Sequence, residues 1–389
     1  MLFRPFSRMG DEDDRMKDKD LIVIDQTIRE GMQYRGLMFS LEERKRMVEF
    51  QEKLGVDISQ AAYPPAHESE SRYLKSLHQW SVESGHRVRI AGLCRAIPED
   101  VNRMLDIGIR DFHLHSGINK EMLDRFGMDE IFKGLTKTVG LIKSKVRDAS
   151  INLALADVAA TDFRLLTKCI SYAVNDLSID TLNLPDTSGS MAPNQYQDFI
   201  KKIAKLLKGK ASQIAVHCHN DMGMASANTV MGVIAGAKVI EVTALGIGER
   251  NGIGDLYSVC KQLKDQGYNI NVRTDDLEGF KAYYAFVNEI CIDKLGEGPL
   301  NYNTPIFGES VKTHVAGTHG IIRYSNAVEK NYYLNVLCGK HLVKQYLNLH
   351  QIPYERHRMK EIVKAIKNKS VELNRGLSED EVKSVINLI

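Results

Sequence analysis

Two histidines stand two positions apart at the end of an apolar run. His217 and His219 belong to the segment VHCHND, and Asp221 follows directly. Side chains along a strand alternate between its two faces, so both imidazoles project to one side while Cys218 points to the other. Paired imidazoles with a carboxylate nearby are typical ligands of divalent metals. The spacing therefore predicts a metal-binding pair, whereas a lone histidine would more often be a core or surface residue.

A second polar group follows the first apolar run, in the segment IDQTIREGMQ. It contains Asp25, Arg29, Glu30 and Gln33. A guanidinium can stabilise an oxyanion, and a carboxylate can bind a metal. Arg29 and Glu30 could equally be an ordinary exposed loop pair, and a motif this short does not decide between the two interpretations.

Two further segments carry polar residues after apolar runs. ALGIGERNGIG is a glycine-rich loop in which Glu249, Arg250 and Asn251 could orient the histidines or Arg29. LPDTSGSMAP contains Asp186 and Thr187, which are expected to face the same site. For Asp186, capping of the following turn is at least as good an interpretation.

Regularly spaced strands must position these segments. Eight short apolar, β-branched runs alternate with longer amphipathic stretches, which is typical of a parallel sheet flanked by helices. The runs are Leu21 to Asp25, Val56 to Gln60, Val88 to Leu93, Ile109 to His115, Ile151 to Ala156, Thr181 to Leu184, Gln213 to His217 and Val239 to Leu245.

The count of eight predicts a closed (β/α)8 TIM barrel, in which polar residues at the C-terminal strand ends form the active site. An open α/β sheet is the alternative, but such a sheet usually carries a GxGxxG turn after its first strand, and residues 25–31 contain none. Residues 1–20 are expected to be a flexible leader, 21–268 the barrel, and 269–389 a C-terminal linker with a mostly helical subdomain.

Composition indicates a soluble cytoplasmic protein. Hydrophobic residues make up 43% and charged residues 26% of the 389 residues, and no uninterrupted apolar stretch is long enough for a membrane helix. Six widely spaced cysteines without a CxxC pair indicate reduced thiols and no disulfides. The net charge of +2, with lysines spread between acidic residues, gives no sign of nucleic-acid binding.

The four polar segments, in this order, resemble those of the metal-dependent family that contains 2-isopropylmalate, homocitrate and citramalate synthases and the 3-hydroxy-3-methylglutaryl-CoA lyases. The family's opening motif, Asp-x-Thr-Leu-Arg-(Asp/Glu)-Gly-x-Gln, is similar to residues 25–33, and its HxHND is intact. The resemblance covers nearly all of the chain from Leu21. It implies a divalent cation (Zn²⁺, Mn²⁺, Mg²⁺ or Co²⁺) bound by Glu30, His217 and His219.

The resemblance also implies roles for further residues. Arg29 would stabilise the enolate or the 2-oxo acid carbonyl, while Gln33 and Thr187 would contact the substrate. The stretch GESVKTHVAGTHG resembles a subdomain that reaches the neighbouring subunit's barrel, so a homodimer is expected. His319 in this stretch matches a histidine expected to transfer protons.

Two positions depart from the family pattern. Gln60 and Ala156 stand where the synthases usually carry carboxylates. Removing a carboxylate beside a metal enlarges the pocket and lowers its negative charge, so Ala156 predicts a larger or additionally anionic substrate, although neutral drift would leave the same residue.

The main functional hypothesis is a Claisen-type condensation of an acyl-CoA with a 2-oxo acid, giving a 2-alkylmalate or homocitrate-like hydroxy diacid. A metal-dependent retro-aldol lyase is the first alternative. A non-catalytic barrel that binds a 2-oxo acid is the second, because a fold does not guarantee a function.

Overall fold

The computed structural model describes residues 20–118, 124–315 and 331–389. Its centre is a closed barrel of eight parallel strands in chain order, with β1 paired to both β2 and β8. The strands are β1 (Ile22–Asp25), β2 (Ile58–Ala62), β3 (Arg89–Arg95), β4 (Asp111–Gly117), β5 (Ser150–Ala156), β6 (Thr181–Asn183), β7 (Gln213–Val216) and β8 (Val239–Val242).

Helices alternate with these strands, which confirms the predicted (β/α)8 barrel. The helices between and after the strands are Thr27–Gly31, Leu41–Leu54, Glu68–Glu83, Pro98–Leu105, Met128–Lys145, Phe163–Ser171, Pro193–Leu206, Ala225–Ile234, Leu256–Asp265 and Leu277–Leu295. Ser40 and Glu43 form the reciprocal capping box expected at the start of the Leu41–Leu54 helix.

Each of the eight apolar runs in the sequence overlaps one strand. The last run was expected to extend to Leu245, but β8 ends at Val242. Leu245 lies in a short 3₁₀ turn with a φ of 58°, a left-handed conformation that cannot continue a strand. The turn directs the following glycine-rich loop back over the strand ends.

The helix that follows the barrel repeat packs onto the barrel. In the Leu277–Leu295 helix, the Tyr283 hydroxyl donates to Asp25 Oδ2 at 2.9 Å and the Tyr284 hydroxyl donates to Asp255 Oδ2 at 2.6 Å. Both carboxyl groups are buried, and burial raises their pKa values. The tyrosines therefore supply the hydrogen bonds that these buried acids need.

The chain divides into two compact units between Pro299 and Leu300. The Leu277–Leu295 helix therefore belongs to the same unit as the barrel. The domain limits expected from the sequence, 21–268 and 269–389, stay a prediction. The second unit contains a short parallel strand pair, a core around Leu342, Tyr346 and Ile366, and a C-terminal helix capped by Ser378 as expected. Its helices are Lys340–Leu349, Met359–Leu373 and Glu379–Asn387.

All six cysteines are buried, and within the described ranges none forms a disulfide, as predicted. In the same part of the chain, no helix combines the length and apolar composition that crossing a bilayer requires.

A buried ion pair stabilises the segment that follows β2. Arg44 and Glu70 are buried and joined by two hydrogen bonds of 2.5 and 3.0 Å, and Arg44 also donates to the carbonyl of Ala61 at 3.1 Å. Removing one partner would leave the other charge buried and uncompensated. We therefore expect Arg44→Met to lower the free energy of unfolding by about 3–5 kcal/mol.

Urea unfolding of the two proteins measures this difference. The control is Arg46→Met in the same helix, since Arg46 forms an exposed pair with Glu49 and lies over the Phe50 ring, and its ion pair should contribute about 0–1 kcal/mol. Equal stabilities of the two variants would contradict the importance of the buried pair.

Candidate active site

The C-terminal strand ends surround a cavity of about 700 Å³. All six barrel residues that the sequence analysis assigned to the site line it, whereas His319 lies outside the described residues. The six are Arg29, Glu30, Gln33, Thr187, His217 and His219. The fold therefore brings together side chains that are far apart in the sequence.

The two histidines after β7 converge on one point. Their Nε2 atoms are 3.2 Å apart, and both side chains are buried. Two imidazoles that bind one metal at about 2.0–2.1 Å place their nitrogens roughly 2.8–3.4 Å apart for bond angles between 90° and tetrahedral. Cys218 is fully buried away from them, and burial raises the pKa of its thiol to about 12, which fits a packing role.

Glu241 on β8 fixes the tautomer of His217. Burial raises the pKa of Glu241, but the hydrogen bond to His217 and the proximity of His113 outweigh burial and lower this pKa to about 2. An ionised carboxylate only accepts hydrogen bonds, so His217 Nδ1 must donate across the 3.1 Å that separates it from Glu241 Oε2. His217 Nε2 is then left with its lone pair directed toward His219.

His219 is also in the protonation state that a metal ligand requires. Burial, and then the neighbouring His217, lower the pKa of His219 to about 3. Its imidazole is therefore uncharged at neutral pH, and a neutral imidazole nitrogen is the form that binds metals.

Glu30 lies at the same end of the barrel. Burial raises its pKa, but Arg29, His217, His219 and a hydrogen bond from the Glu249 amide at 3.0 Å outweigh burial and lower it. Glu30 is thus an ionised carboxylate close to both imidazoles. Its Oε2 accepts a short hydrogen bond from Arg29.

The chemistry of these side chains fits a divalent metal. Among the described residues, no three His, Cys, Asp or Glu side chains already converge as a metal-binding group. The nitrogens of the imidazole pair have the separation that a shared metal requires. Glu30 is the nearby carboxylate that could be the third ligand if the cation took the place of Arg29 beside it.

A chain of hydrogen bonds holds Arg29 in place. Its Nε donates to Gln60 Oε1 at 2.5 Å, and its two terminal nitrogens also donate to Gln33 at 2.9 Å and Gln26 at 3.0 Å. Gln60 Nε2 lies 2.6 Å from His113 Nδ1. Burial lowers the pKa of His113 to about 4, so a neutral imidazole accepts from the amide. Gln60 therefore positions Arg29 without adding charge.

Asp186 and Thr187 have different surroundings. The Asp186 carboxylate accepts from the amides of Ser190 and Met191 at 3.3 and 3.1 Å, which supports the turn-capping interpretation. Thr187 lines the cavity, and its hydroxyl accepts from the Asp157 amide at 3.0 Å. Only Thr187 of the two is therefore in position to meet a ligand.

Within the described part of the chain, the hydrogen bonds of Arg250 go to Asp221 and to the Thr187 carbonyl, and not to the histidines or Arg29 as the sequence suggested. Arg250 forms a two-pronged pair with Asp221 at 2.7 and 2.9 Å. The pair ties the loop after β8 to the HND segment after β7. Asp221 is consequently engaged with Arg250 instead of joining the histidine pair.

The polar residues inside the barrel were not predicted from the sequence. Glu241, His113, Asn152 and Asn183 all line the cavity from within strands. A signal was present, because Glu241 is a charged residue inside the apolar run VIEV and His113 interrupts DFHL. A charge buried in a strand interior needs partners, and those partners lie on other strands.

The His217–Glu241 contact yields a testable prediction. Carboxylates that orient metal-binding histidines typically contribute 10- to 100-fold to metal affinity. We expect Glu241→Gln to weaken metal binding by about that factor, because the amide keeps the shape but removes the charge. Competition with a chelator measures the affinity, and Glu278→Gln, at an exposed helical position, serves as control. Unchanged affinity in Glu241→Gln would contradict the assigned role.

Comparisons with known proteins identify the family of the chain. Residues 20–282 match the family model described as HMGL-like. The 2-isopropylmalate synthase of Sulfurisphaera tokodaii is 32% identical over 79% of this chain and 77% of its own length. That of Sulfolobus acidocaldarius is 29% identical over 96% of this chain and 97% of its own length.

A solved structure supports the same fold. The hydroxymethylglutaryl-CoA lyase of Pseudomonas aeruginosa superposes with a TM-score of 0.60 and 14% identity over 75% of this chain and 97% of the lyase. At this identity the likeness concerns the fold alone. The curated relatives confirm the predicted family and favour the acyltransferase class over the lyase alternative. The chain belongs to the HMGL-like family, as an enzyme related over most of its length to 2-isopropylmalate synthases.

Proposed function

We propose that the protein condenses an acyl-CoA, acetyl-CoA in the simplest case, with a 2-oxo acid to give a 2-alkylmalate-type hydroxy diacid. The observation that carries this proposal is the buried His217–His219 pair, with Nε2 atoms 3.2 Å apart in the same cavity as Arg29. Glu30 would complete the metal site. A divalent metal bound there supplies Lewis acidity that polarises the carbonyl of the 2-oxo acid.

The reaction balances in two steps, a condensation and a hydrolysis. The acyl methyl group loses a proton and its carbon forms a bond to the 2-oxo carbon, whose oxygen takes up a proton. Water then cleaves the thioester and releases free coenzyme A together with the second carboxylate. Hydrolysis makes the overall condensation irreversible.

The chain's own residues orient and stabilise the reacting groups. Arg29 presents guanidinium N–H groups at the cavity wall, where they can stabilise negative charge on an enolate or carbonyl oxygen. Gln60 holds the guanidinium through Nε. Gln33 and Thr187 would bind the substrate carboxylate or hydroxyl. His319 is proposed to transfer a proton.

The proposed site could bind one of several divalent metals. Two imidazoles and a carboxylate suit Zn²⁺, Mn²⁺ or Co²⁺ and tolerate Mg²⁺.

We expect a cytoplasmic homodimer whose C-terminal segment reaches the partner's barrel. Light scattering at micromolar concentration should therefore give twice the monomer mass, and a monomer would contradict this assembly.

A thiol assay tests the proposed reaction. The purified protein, loaded with each metal in turn, is incubated with acetyl-CoA and a panel of 2-oxo acids while free thiol is followed. We expect thiol release that requires both substrates and stops with chelator. Cleavage of an added 3-hydroxyacyl-CoA into acetyl-CoA and an oxo acid would instead indicate the lyase, and metal binding without either reaction would indicate the non-catalytic barrel.

A further inference from the structure

Tyr63 and His115 form a second polar contact in the cavity wall, apart from the histidine pair after β7. Both line the cavity, and both are only partly buried. The Tyr63 hydroxyl lies 3.4 Å from His115 Nε2, and within the described ranges it is the only hydrogen-bond partner of this ring. The backbone of Tyr63 is anchored, because its amide donates to Glu70 Oε2 at 3.2 Å. A fixed phenol therefore stands beside an imidazole that a ligand in the cavity can reach.

The position of His115 on β4 places it near Arg29. Side chains two residues apart on a strand share a face and are separated by roughly 6.6 Å along it. His115 therefore lies one layer nearer the mouth than His113, which contacts Gln60 at 2.6 Å. Gln60 in turn holds Arg29 through Nε, and the charge of Arg29 acts on His115. His115 thus faces the part of the cavity where Arg29 can stabilise an enolate oxygen.

His115 is uncharged at neutral pH. Burial lowers its pKa, and the positive charges of Arg29 and Arg95 lower it further, whereas Asp100 acts in the opposite direction. Burial raises the pKa of Tyr63, so the phenol keeps its proton. A neutral imidazole has one N–H group and one nitrogen lone pair, and the lone pair can accept a proton.

Other titratable side chains in the cavity wall already have partners or roles. Glu70 forms the buried ion pair with Arg44. His67 Nδ1 accepts from the Ser69 amide at 3.1 Å, so its proton is on Nε2 and no lone pair is left. His113 accepts through Nδ1 in the same way. The proposed metal ligands, and the Glu241 carboxylate that orients one of them, are likewise engaged.

Glu249 is the remaining carboxylate of the cavity wall. Its side chain is 47% exposed, and its Oε2 lies 3.4 Å from Gln33 Nε2 and 3.6 Å from Arg250 Nη1. A carboxylate that is open to solvent and paired with a cation is poorly suited to remove a proton from carbon. Among the described titratable groups that line the cavity, His115 is therefore the best placed proton acceptor.

We propose that His115 is the general base that removes a proton from the acyl methyl group, and that Tyr63 positions its ring. This inference rests on the proposed function and names the group that starts the condensation. The methyl C–H bond breaks as its proton passes to the imidazole, and the electron pair forms the bond to the 2-oxo carbon. The 2-oxo oxygen takes up a proton, for which His319 is proposed, and the imidazolium then releases its proton to water.

Replacement of His115 tests the deprotonation step. We expect His115→Gln and His115→Ala to lower kcat for thiol release by about 10²- to 10⁴-fold, the usual contribution of a general acid or base. Acetyl-CoA deuterated at the methyl group isolates the step. Loss of the base slows C–H cleavage, so the isotope effect on kcat/KM should be larger in both variants than in the unaltered enzyme. A purely structural defect would leave the isotope effect unchanged.

Added imidazole provides a second measurement. It can enter the space that His115→Ala leaves and accept the proton, so kcat should recover in part and rise with the concentration of neutral imidazole. His115→Gln fills that space and should not recover. Tyr63→Phe should show a smaller loss of kcat with the same increase in isotope effect, because it removes only the hydroxyl beside the ring.

Controls separate the roles of His115 and of the fold. Metal content and circular dichroism are measured in every variant, and His357→Ala, exposed in the second unit, is the matched control. Tyr63→Phe carries the isotope test if neither His115 variant folds. Glu249→Gln tests the competing base, and an increased isotope effect in Glu249→Gln but not in the His115 variants would overturn the proposal.

Failure of the inference differs from failure of the proposed function. No thiol release from any 2-oxo acid by the unaltered protein would overturn both. Thiol release that persists at full rate in His115→Gln and His115→Ala, or that falls there with an unchanged isotope effect and without recovery by imidazole, would overturn the inference alone.

Discussion

Replacing His217 or His219 with alanine is expected to remove most bound metal and to lower turnover by at least about 1000-fold. The Nε2 atoms of the pair are 3.2 Å apart, so each variant removes one of two converging nitrogens and leaves a single imidazole. Lewis-acid stabilisation by a metal is worth several kcal/mol, and about 4 kcal/mol corresponds to a factor of 1000 in rate. Elemental analysis and the thiol assay measure the two effects.

The fold should survive both substitutions, because residues at the mouth of such a barrel serve function more than stability. Circular dichroism and thermal unfolding check this point. His357→Ala is the matched control, since His357 is exposed in the second unit. Full metal content in both single variants would rule out this pair as the metal site.

Replacing Arg29 with lysine is expected to reduce kcat by about 10²- to 10³-fold, the usual cost of losing one donor that stabilises an oxyanion. Arg29 donates from all three of its nitrogens, and lysine keeps the charge but cannot reproduce that planar arrangement. The effect should fall mainly on kcat, because the guanidinium acts on charge that develops during the reaction.

Steady-state kinetics of Arg29→Lys at saturating metal measure this effect, with the exposed Arg46→Lys as control. Gln60→Leu should show a smaller loss in the same direction, because it removes the contact that holds Nε and the hydrogen bond to His113 but retains the guanidinium itself. An Arg29→Lys variant with unchanged kcat and a raised KM would assign Arg29 to substrate binding alone.

The fold could be predicted from the sequence because its signals are local. Each strand of the barrel is a short apolar run, and the alternation of strand and helix leaves few arrangements other than a closed or open parallel sheet. The limit of β8 was wrong because the φ of Leu245 depends on the loop packed above it. The apolar character of residues 242–245 does not indicate the φ angle of Leu245.

The histidine pair was predictable for a related reason. An HxH spacing at the end of a strand places two imidazoles on one face, whatever the rest of the protein does. The structure adds the separation of the nitrogens and the neutral state of His219, which depend on burial and on neighbours from other elements. Neither quantity could be read from the segment VHCHND.

The interior polar residues could not be assigned because their partners are distant in sequence. Glu241 on β8 contacts Asn152 on β5 and His217 at the end of the neighbouring β7, 89 and 24 residues away. Gln60 was interpreted as the loss of a carboxylate, whereas the structure shows an amide that links Arg29 to His113. Gln60 can make this link because β2, β4 and the Thr27–Gly31 helix bring Gln60, His113 and Arg29 together.

Tracing the acetyl carbons tests the central claim most directly. The metal-loaded protein is incubated with acetyl-CoA labelled at both acetyl carbons and with an unlabelled 2-oxo acid, and products are analysed by mass spectrometry. The account predicts one hydroxy diacid that contains both labelled carbons and one free coenzyme A for each molecule formed, with no product in His217→Ala. Labelled acetate alone, or no labelled product from any 2-oxo acid while His217 and His219 hold metal, would contradict it.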